Sequence, residues 1–248
     1  MARVVAPERT WTADEVLAAL CALGSAKGVE GMARFGISTR LTLGVPVPAE
    51  RALAKRIGTD HALARELWAT GVHEARQVAA MIDDPSKVTR AQMDRWARDL
   101  DSWDVCDGCA LDLFRRTPFA YEKALEWSAS PREYVKRASF ATMAALAVHD
   151  RQAPDDSMLR FLPVIRREAG DERNFVKKAV NWALRQIGKR NLALNAAAIA
   201  TAEAIRADGT RSGRWIAADA LRELRGEAVQ RRLREHATPR PGERRRER

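Results

Sequence analysis

Two short segments of this sequence are near-copies of each other, and this repetition limits the possible folds more than any other feature. Tyr134–Ala138 (YVKRA) aligns with Phe175–Ala179 (FVKKA) at an offset of 41 residues. Similar segments begin near positions 72, 103 and 214, so the spacings along the chain are 31, 31, 41 and 39 residues. Spacings of this size indicate repeated helix pairs, which stack because one amphipathic pair cannot bury its own apolar face.

Repeats of roughly 40 residues built from two helices are typical of HEAT-like and armadillo-like proteins. We therefore predict an all-α fold, an α-solenoid of HEAT-like helical repeats in which the second helix of each pair lines a concave basic face. A compact helical bundle is the alternative, but it gives no reason for the repeated segment. We expect residues 1–236 to form a single domain of this kind.

Capping residues and apolar periodicity place the individual helices. The predicted N-terminal caps are Thr12 (with Glu15), Asp60, Thr89, Thr117, Ser130 (with Glu133), Asp171 and Ser212. The predicted helices are 12–23, 49–58, 60–70, 72–83, 90–99, 103–115, 118–129, 130–149, 156–169, 172–188, 192–207 and 214–236. Gly24 to Gly31 should loosen the first helix, and no run alternates well enough to predict a strand.

The charge of the chain favours a polyanionic partner. The formal net charge is +10, and residues 171–248 hold 19 Lys and Arg against 10 Asp and Glu, which leaves 24 against 23 for residues 1–170. Residues 237–248 should form a disordered basic tail, since Arg, Glu, Pro and Gly cannot build a core. The chain has only three cysteines, opens with Met-Ala-Arg instead of a basic segment before an apolar run, and has no apolar run of about 20 residues. We therefore expect a cytoplasmic, nucleoid-associated protein without membrane contact.

Two tryptophans share a helix face with a charged residue. Trp103 and Asp107 are four residues apart, as are Lys178 and Trp182, so each pair stacks on one side of its helix. The remaining tryptophans are predicted to be core: Trp11, Trp68, Trp96, Trp127 and Trp215. Basic residues interleaved with aromatics suit a nucleic-acid backbone, and the predicted DNA-binding residues are Lys136, Lys177, Lys178, Arg185, Lys189 and Arg190. A solvated charged face is the simpler alternative for these cations.

Other motifs give little support for metal or cofactor chemistry. Cys106 and Cys109 form a CxxC pair, but a structural zinc site needs four ligands and no second pair follows. His73 and Glu74 begin a zincin-like pattern, yet Gln77 stands where the second histidine is required. We predict neither a cofactor nor a bound metal.

Several strings resemble those of a known family. MARF followed by Gly44 and Pro48, then WDVCD, YVKRASF and FVKKAVNWALRQIGKRN, are similar to the DNA alkylation repair enzymes, AlkD-like DNA glycosylases built from HEAT-like repeats. The resemblance covers about Met32 to Asn191. It implies that Trp103, Asp107, Arg137 and Trp182 are the catalytic residues. It also implies a partner, duplex DNA carrying alkylated purines, and we expect a monomer.

The chemistry of such a reaction agrees with these residue types. A purine alkylated at N3 or N7 is cationic and leaves as a neutral base, so no general acid is needed. A carboxylate and tryptophan faces would stabilise the oxocarbenium-like sugar, and Arg137 would hold the flanking phosphate. Two other functions are open: a noncatalytic HEAT-repeat protein that binds damaged or branched DNA, and a protein-binding HEAT scaffold.

Overall fold

The computed structural model describes residues 10–237, and the regular structure in that range is helical. The helices are α1 Ala13–Leu23, α2 Ala26–Arg34, α3 Val47–Ile57, α4 His61–Ala69, α5 His73–Ile82, α6 Arg90–Asp99, α7 Trp103–Asp112, α8 Ala120–Trp127, α9 Glu133–His149, α10 Asp155–Leu159, α11 Leu162–Glu168, α12 Asn174–Gly188, α13 Leu192–Ala207, α14 Arg211–Leu224 and α15 Glu227–Ala237. A short 3-10 helix covers Phe114–Arg116. The predicted all-α class is confirmed.

The chain divides into two compact units, and the boundary lies between Pro118 and Phe119. We call residues 10–118 the N-terminal unit and residues 119–237 the C-terminal unit. Both are built from the same kind of helix pair. The single domain predicted over residues 1–236 stays a prediction, and the predicted tail lies outside the described residues apart from Ala237, the last residue of α15.

In the N-terminal unit, α3, α5 and α7 lie side by side, and α4 packs against α5. Hydrogen bonds join equivalent positions 31 residues apart. Trp68 Nε1 donates to Asp99 Oδ2 over 3.0 Å, and His73 Nε2 lies 2.8 Å from Asp104 Oδ2. The spacing of these contacts equals the predicted 31-residue period.

In the C-terminal unit, α9, α12 and α14 form the corresponding layer, with α8 against α9 and α13 against α14. The ring of Tyr134 stacks on that of Phe175 with 5.8 Å between their centroids. Arg173 Nη1 donates to the carbonyl oxygen of Pro131, 42 residues earlier, over 2.7 Å. The near-copies YVKRA and FVKKA therefore occupy equivalent places on neighbouring helices.

Three of the predicted caps are confirmed, since Thr12, Asp60 and Thr89 accept hydrogen bonds from the first turns of α1, α4 and α6. Four are wrong. The N-cap positions predicted for Thr117, Ser130, Asp171 and Ser212 are occupied instead by Phe119, Arg132, Arg173 and Thr210, of which only Thr210 makes a side-chain cap hydrogen bond.

The displaced side chains have other partners. Thr117 donates to the carbonyl oxygen of Phe114 and Ser212 to that of Ala169. The carboxylate of Asp171 accepts from the backbone and side chain of Arg173. Tertiary and turn contacts therefore outweigh the local preference of these residues for cap positions.

The division of the chain into helices also differs from the prediction. The helix predicted over 156–169 is broken into α10 and α11, because Pro163 lacks an N–H and its ring would clash with the carbonyl of Leu159 in a continuous helix. The helix predicted over 214–236 is divided at Gly226. Ser25 starts a separate helix, α2, where only a loosened α1 was expected.

Within the described range no single helix is long and apolar enough to cross a membrane. Helices α1 and α2, which are bent by 83° relative to each other, together have the length and composition of a spanning segment, and nothing else supports such a role.

Candidate nucleic-acid interface

A buried hydrogen-bonded chain fixes the first turn of α7. Ser102 Oγ donates to Asp104 Oδ1, and the other carboxylate oxygen of Asp104 lies 2.8 Å from Nε2 of buried His73 on α5. Burial raises the pKa of Asp104, but hydrogen bonds from His73 and Ser102 outweigh it and hold this pKa below its ordinary value. An ionised Asp104 therefore ties α7 to α5.

Trp103 is the first residue of α7, and its indole is half-buried. Its Nε1 donates to the carbonyl oxygen of Phe35 over 3.0 Å. Phe35 lies at the start of the loop 35–46, which joins α2 to α3. The orientation of the Trp103 ring is therefore linked to the position of that loop.

A buried carboxylate on α5 holds the far end of the same loop. Glu74 is fully buried and accepts hydrogen bonds from three consecutive backbone amides, those of Leu43, Gly44 and Val45, at 2.9, 2.7 and 3.3 Å. Gly44 has φ of +77°, and a Cβ there would lie 2.3 Å from the carbonyl oxygen of Ser25. Sequence reasoning missed this role of Glu74, for which the one signal is an acidic residue within the apolar run of α5.

Asp107 follows Trp103 by one turn of α7 and is half-buried. The next residue, Gly108, contacts α5 so closely that a Cβ would meet Gln77 Oε1 at 2.2 Å. Cys106 and Cys109 point into the core, and burial raises the pKa of the Cys109 thiol. No group of three or more His, Cys, Asp or Glu side chains within residues 10–237 is arranged to hold a metal ion.

Two predicted site residues, Lys136 and Arg137, lie on α9 and are buried. Arg137 Nη1 donates to the carbonyl oxygen of Phe175 on α12 over 2.7 Å. Lys136 Nζ lies 2.5 Å from Glu168 Oε2 and 3.4 Å from Asp171 Oδ2. Burial raises the pKa of Glu168, but hydrogen bonds from Lys136 and Arg167 outweigh it and lower this pKa. The charge of Lys136 is thus compensated inside the protein.

A row of polar contacts joins α12 to α14, and we call it the α12–α14 ladder. Its contacts are Lys177 Nζ over the Trp215 ring at 5.0 Å, Asn181 to Asp219 at 2.7 Å, Arg185 to Glu223 at 2.6 Å and Lys189 to Glu223 at 2.7 Å. Burial raises the pKa of Glu223, but hydrogen bonds and charge from Lys189 and Arg185 outweigh this effect and hold the pKa below its ordinary value. Two of the predicted DNA-binding cations are therefore paired with a carboxylate.

The remaining predicted residues of α12 differ in exposure. Trp182 is half-buried. Its Nε1 donates to Gln186 Oε1 over 3.1 Å when the Gln186 side-chain amide is oriented with its oxygen toward Trp182 and Lys189. Lys178, one turn earlier, is exposed and forms no ion pair with any described residue. Just after α12, Arg190 donates to the carbonyl oxygens of Ala147, Asp150 and Ala153, so it stabilises the C-terminal end of α9.

The predicted site residues are thus divided between the two units. Trp103 and Asp107 lie on α7 of the N-terminal unit, and the others belong to α9, α12 and the residues after α12 in the C-terminal unit. The prediction that Trp215 is core is wrong, because 42% of its surface is exposed. Trp11, Trp68, Trp96 and Trp127 are buried as predicted.

Comparison with known families identifies the family of this chain. A family model described as DNA alkylation repair enzyme matches residues 16–224. The chain belongs to the DNA alkylation repair enzyme family. The match extends beyond both ends of the resemblance seen between Met32 and Asn191, and so includes α14.

The fold of this DNA alkylation repair family member is also found in a solved structure. That structure is described as "A new family of proteins related to the HEAT-like repeat DNA glycosylases with affinity for branched DNA structures". The similarity has a TM-score of 0.75 at 22% identity and covers 90% of this chain and 96% of that one. The predicted HEAT-like repeat fold is therefore confirmed. A comparison with curated proteins gives no match.

Proposed function

We propose that this protein is a DNA glycosylase that removes cationic N3- or N7-alkylated purines from duplex DNA. The observation that carries the proposal is the pairing of Trp103 and Asp107 on successive turns of α7, with the indole held by the carbonyl of Phe35. A half-buried carboxylate beside a fixed aromatic ring is suited to stabilising a developing positive charge. Membership of the DNA alkylation repair enzyme family supports the same conclusion.

In this proposal Asp107 acts by electrostatics on the deoxyribose. The cationic base takes the electron pair of the glycosidic bond and departs neutral, so positive charge develops on the sugar ring. Water then adds to C1′ and releases a proton to the solvent. A carboxylate ~4 Å away stabilises such a charge by about 1 kcal/mol in water and about 4 kcal/mol at an effective dielectric constant of 20. Trp103, on the same helix as Asp107, would exclude water and present a ring face to the sugar, which strengthens this effect.

The cations would position the DNA rather than take part in bond cleavage. Lys178 is exposed and unpaired among the described residues, so it can bind a phosphate without breaking an existing contact. Arg185 and Lys189 would have to leave or share Glu223, and Lys136 would have to do the same with Glu168. Arg137 is proposed to hold the phosphate next to the lesion.

The second candidate function is binding of damaged or branched DNA without catalysis. Two observations favour it: several predicted DNA-binding cations are already paired within the protein, and the similar solved structure is described as having affinity for branched DNA. A chain of this kind would bind DNA through exposed cations and leave the glycosidic bond intact.

Release of N7-methylguanine from methylated duplex DNA separates the two candidates. We expect the full-length protein to release the free base in the presence of EDTA, under single-turnover conditions with protein in excess. Binding of the same DNA, measured in parallel, shows that the protein is competent. A protein that binds this DNA but releases no base would assign it to the noncatalytic function.

A further inference from the structure

Trp215 is the most exposed tryptophan of the chain, although it lies on α14, a helix that packs against α12 and α13. The surface exposure of Trp215 is 42%, whereas the core tryptophans are at most 8% exposed. Its neighbours Ile216 and Ala217 are fully buried, so α14 is anchored and the ring projects from a fixed helix. A large aromatic held in water by a rigid element indicates a binding surface.

The surroundings of the ring are positively charged. Lys177 Nζ lies 5.0 Å from the centroid of the Trp215 ring. Arg211 is exposed one turn before Trp215 on α14, and Lys178 is exposed beside Lys177 on α12. We call these four residues, Lys177, Lys178, Arg211 and Trp215, the Trp215 patch.

The carboxylates near the Trp215 patch already have partners. Glu172 accepts a hydrogen bond from the backbone N of Ser212 over 3.0 Å. Asp219 accepts from Asn181 Nδ2 over 2.7 Å and is also paired with Arg222. The patch therefore keeps excess positive charge around an accessible ring face, which complements an aromatic ligand with attached phosphates.

We propose that Trp215 stacks on an unpaired nucleobase of DNA, while Lys177, Lys178 and Arg211 bind the adjoining phosphates. The bases of an intact duplex are stacked on each other, so a tryptophan ring can stack only on a base that has left the helix or lies in a single strand. A phosphate also competes with the Trp215 ring for the ammonium of Lys177, which would free that ring face. This inference rests on the proposed binding of DNA but concerns a residue separate from Asp107 and Trp103.

The test compares an intact duplex with the same duplex carrying a short single-stranded gap, by fluorescence anisotropy at fixed salt. The parental protein should bind the gapped DNA more tightly. Trp215→Ala should weaken binding to the gapped DNA at least about fivefold, since one base stacked on an aromatic ring contributes about 1–3 kcal/mol, and should change duplex binding less than about twofold. Trp215→Phe should restore most of the difference.

Two further measurements make the result specific. A 2-aminopurine in the gap should lose fluorescence on binding the parental protein and keep it with Trp215→Ala. Leu192→Ala is the matched control, because Leu192 on α13 is also 42% exposed but has no aromatic ring to stack on a base; it should bind both DNAs like the parent.

The outcomes separate this inference from the proposed function. Equal binding of the two DNAs by the parent, or an equal loss for both with Trp215→Ala, would overturn the stacking role while leaving duplex binding intact. An unchanged 2-aminopurine signal together with unchanged affinities would also overturn the stacking role of Trp215. A parental protein that binds neither DNA would overturn the proposed function and this inference together.

Discussion

At the scale of single residues, Asp107 is the most direct test of the proposed chemistry. Asp107→Asn keeps the shape of the side chain and removes one negative charge. We expect base release to fall by at least about tenfold, which corresponds to ~1.4 kcal/mol of lost transition-state stabilisation. DNA affinity should stay the same or rise, because the lost charge repels phosphates.

The control for Asp107→Asn makes the same change on the same helix. Asp112 ends α7 and forms an ion pair with exposed Arg51, so Asp112→Asn should leave base release unchanged. The measurement is the single-turnover rate of N7-methylguanine release, together with thermal unfolding of each variant. A parental rate from Asp107→Asn would contradict the electrostatic role of this carboxylate.

Glu50 carries a second prediction at the residue scale, about stability and pH. This residue of α3 is 1% exposed, and its Oε2 has no hydrogen-bond partner among the described residues. Burial first, and then the charges of Glu74 and Asp104, raise the pKa of Glu50 to about 8. In the unfolded chain the same group ionises near pH 4.5. The folded protein therefore binds more protons between these values, and its stability should fall as pH rises from about 5 to 8.

Glu50→Gln should remove this part of the pH dependence and should stabilise the protein at pH 8, since one pKa unit corresponds to about 1.4 kcal/mol. Urea unfolding at several pH values measures the slope. The control is Glu66→Gln, which changes an exposed residue of α4 and should leave the slope of stability against pH unchanged. If the stability of Glu50→Gln declines as steeply as that of the parent, the raised pKa is not the cause.

At the scale of elements, the loop 35–46 depends on one carboxylate. In Glu74→Gln, an amide replaces the charge that accepts from three backbone N–H groups, and its own NH₂ group faces donors. Hydrogen bonds to charged groups contribute about 1.5–3 kcal/mol each, so the free energy of unfolding should fall by about 3 kcal/mol. Limited proteolysis should then cut within 35–46 sooner than in the parent.

The control for this prediction is Glu30→Gln, which changes an exposed residue of α2. It should leave both stability and proteolysis at parental values. Unchanged cleavage of the loop in Glu74→Gln would mean that packing of Gly44 against Ser25 suffices to hold it.

Elements were predictable from the sequence where local signals decide them. Thr12, Asp60 and Thr89 cap as predicted because their partners lie three residues away. The role of Ser212 could not be predicted, since its hydroxyl donates a hydrogen bond to the carbonyl oxygen of Ala169, 43 residues earlier. The pairing of Arg185 with Glu223 was missed for the same reason, as it joins helices whose register the sequence does not specify.

At the scale of the whole molecule, the net charge of +10 predicts salt-sensitive binding of duplex DNA. Each phosphate contact contributes about 0.9 to the slope of log affinity against log salt concentration. We expect a chain that ends at Ala237 to keep most of this slope, because Lys178 and the other cations of the C-terminal unit remain. Anisotropy titrations of both chains over a range of salt give the comparison.

A full-length protein in which the tail arginines are replaced by glutamine is the matched control, and it should behave like the shortened chain. Loss of duplex binding in both would place the DNA contacts in the tail instead of on the helices.

The repeat architecture was the part of the whole molecule that the sequence predicted best. The YVKRA and FVKKA segments are recognisable because equivalent helices face the same neighbours and therefore keep the same pattern of apolar and basic residues. The exposure of Trp215 was not predictable, because an aromatic at helical spacing looks the same whether its face is covered or open. Only the neighbouring helix, which brings a cation and no apolar cover, distinguishes the two cases.

The α12–α14 ladder also predicts how the last helices of the C-terminal unit unfold. If α14 detached from α12, Arg185 and Lys189 would lose the carboxylate of Glu223 at the same moment as the apolar contacts separate. Separation of the two helices therefore loses ionic and apolar contacts at once, and we expect the helices to open together. Amide hydrogen exchange should show α12 and α14 exchanging in a single cooperative step, and Glu223→Gln should make α14 exchange before α12.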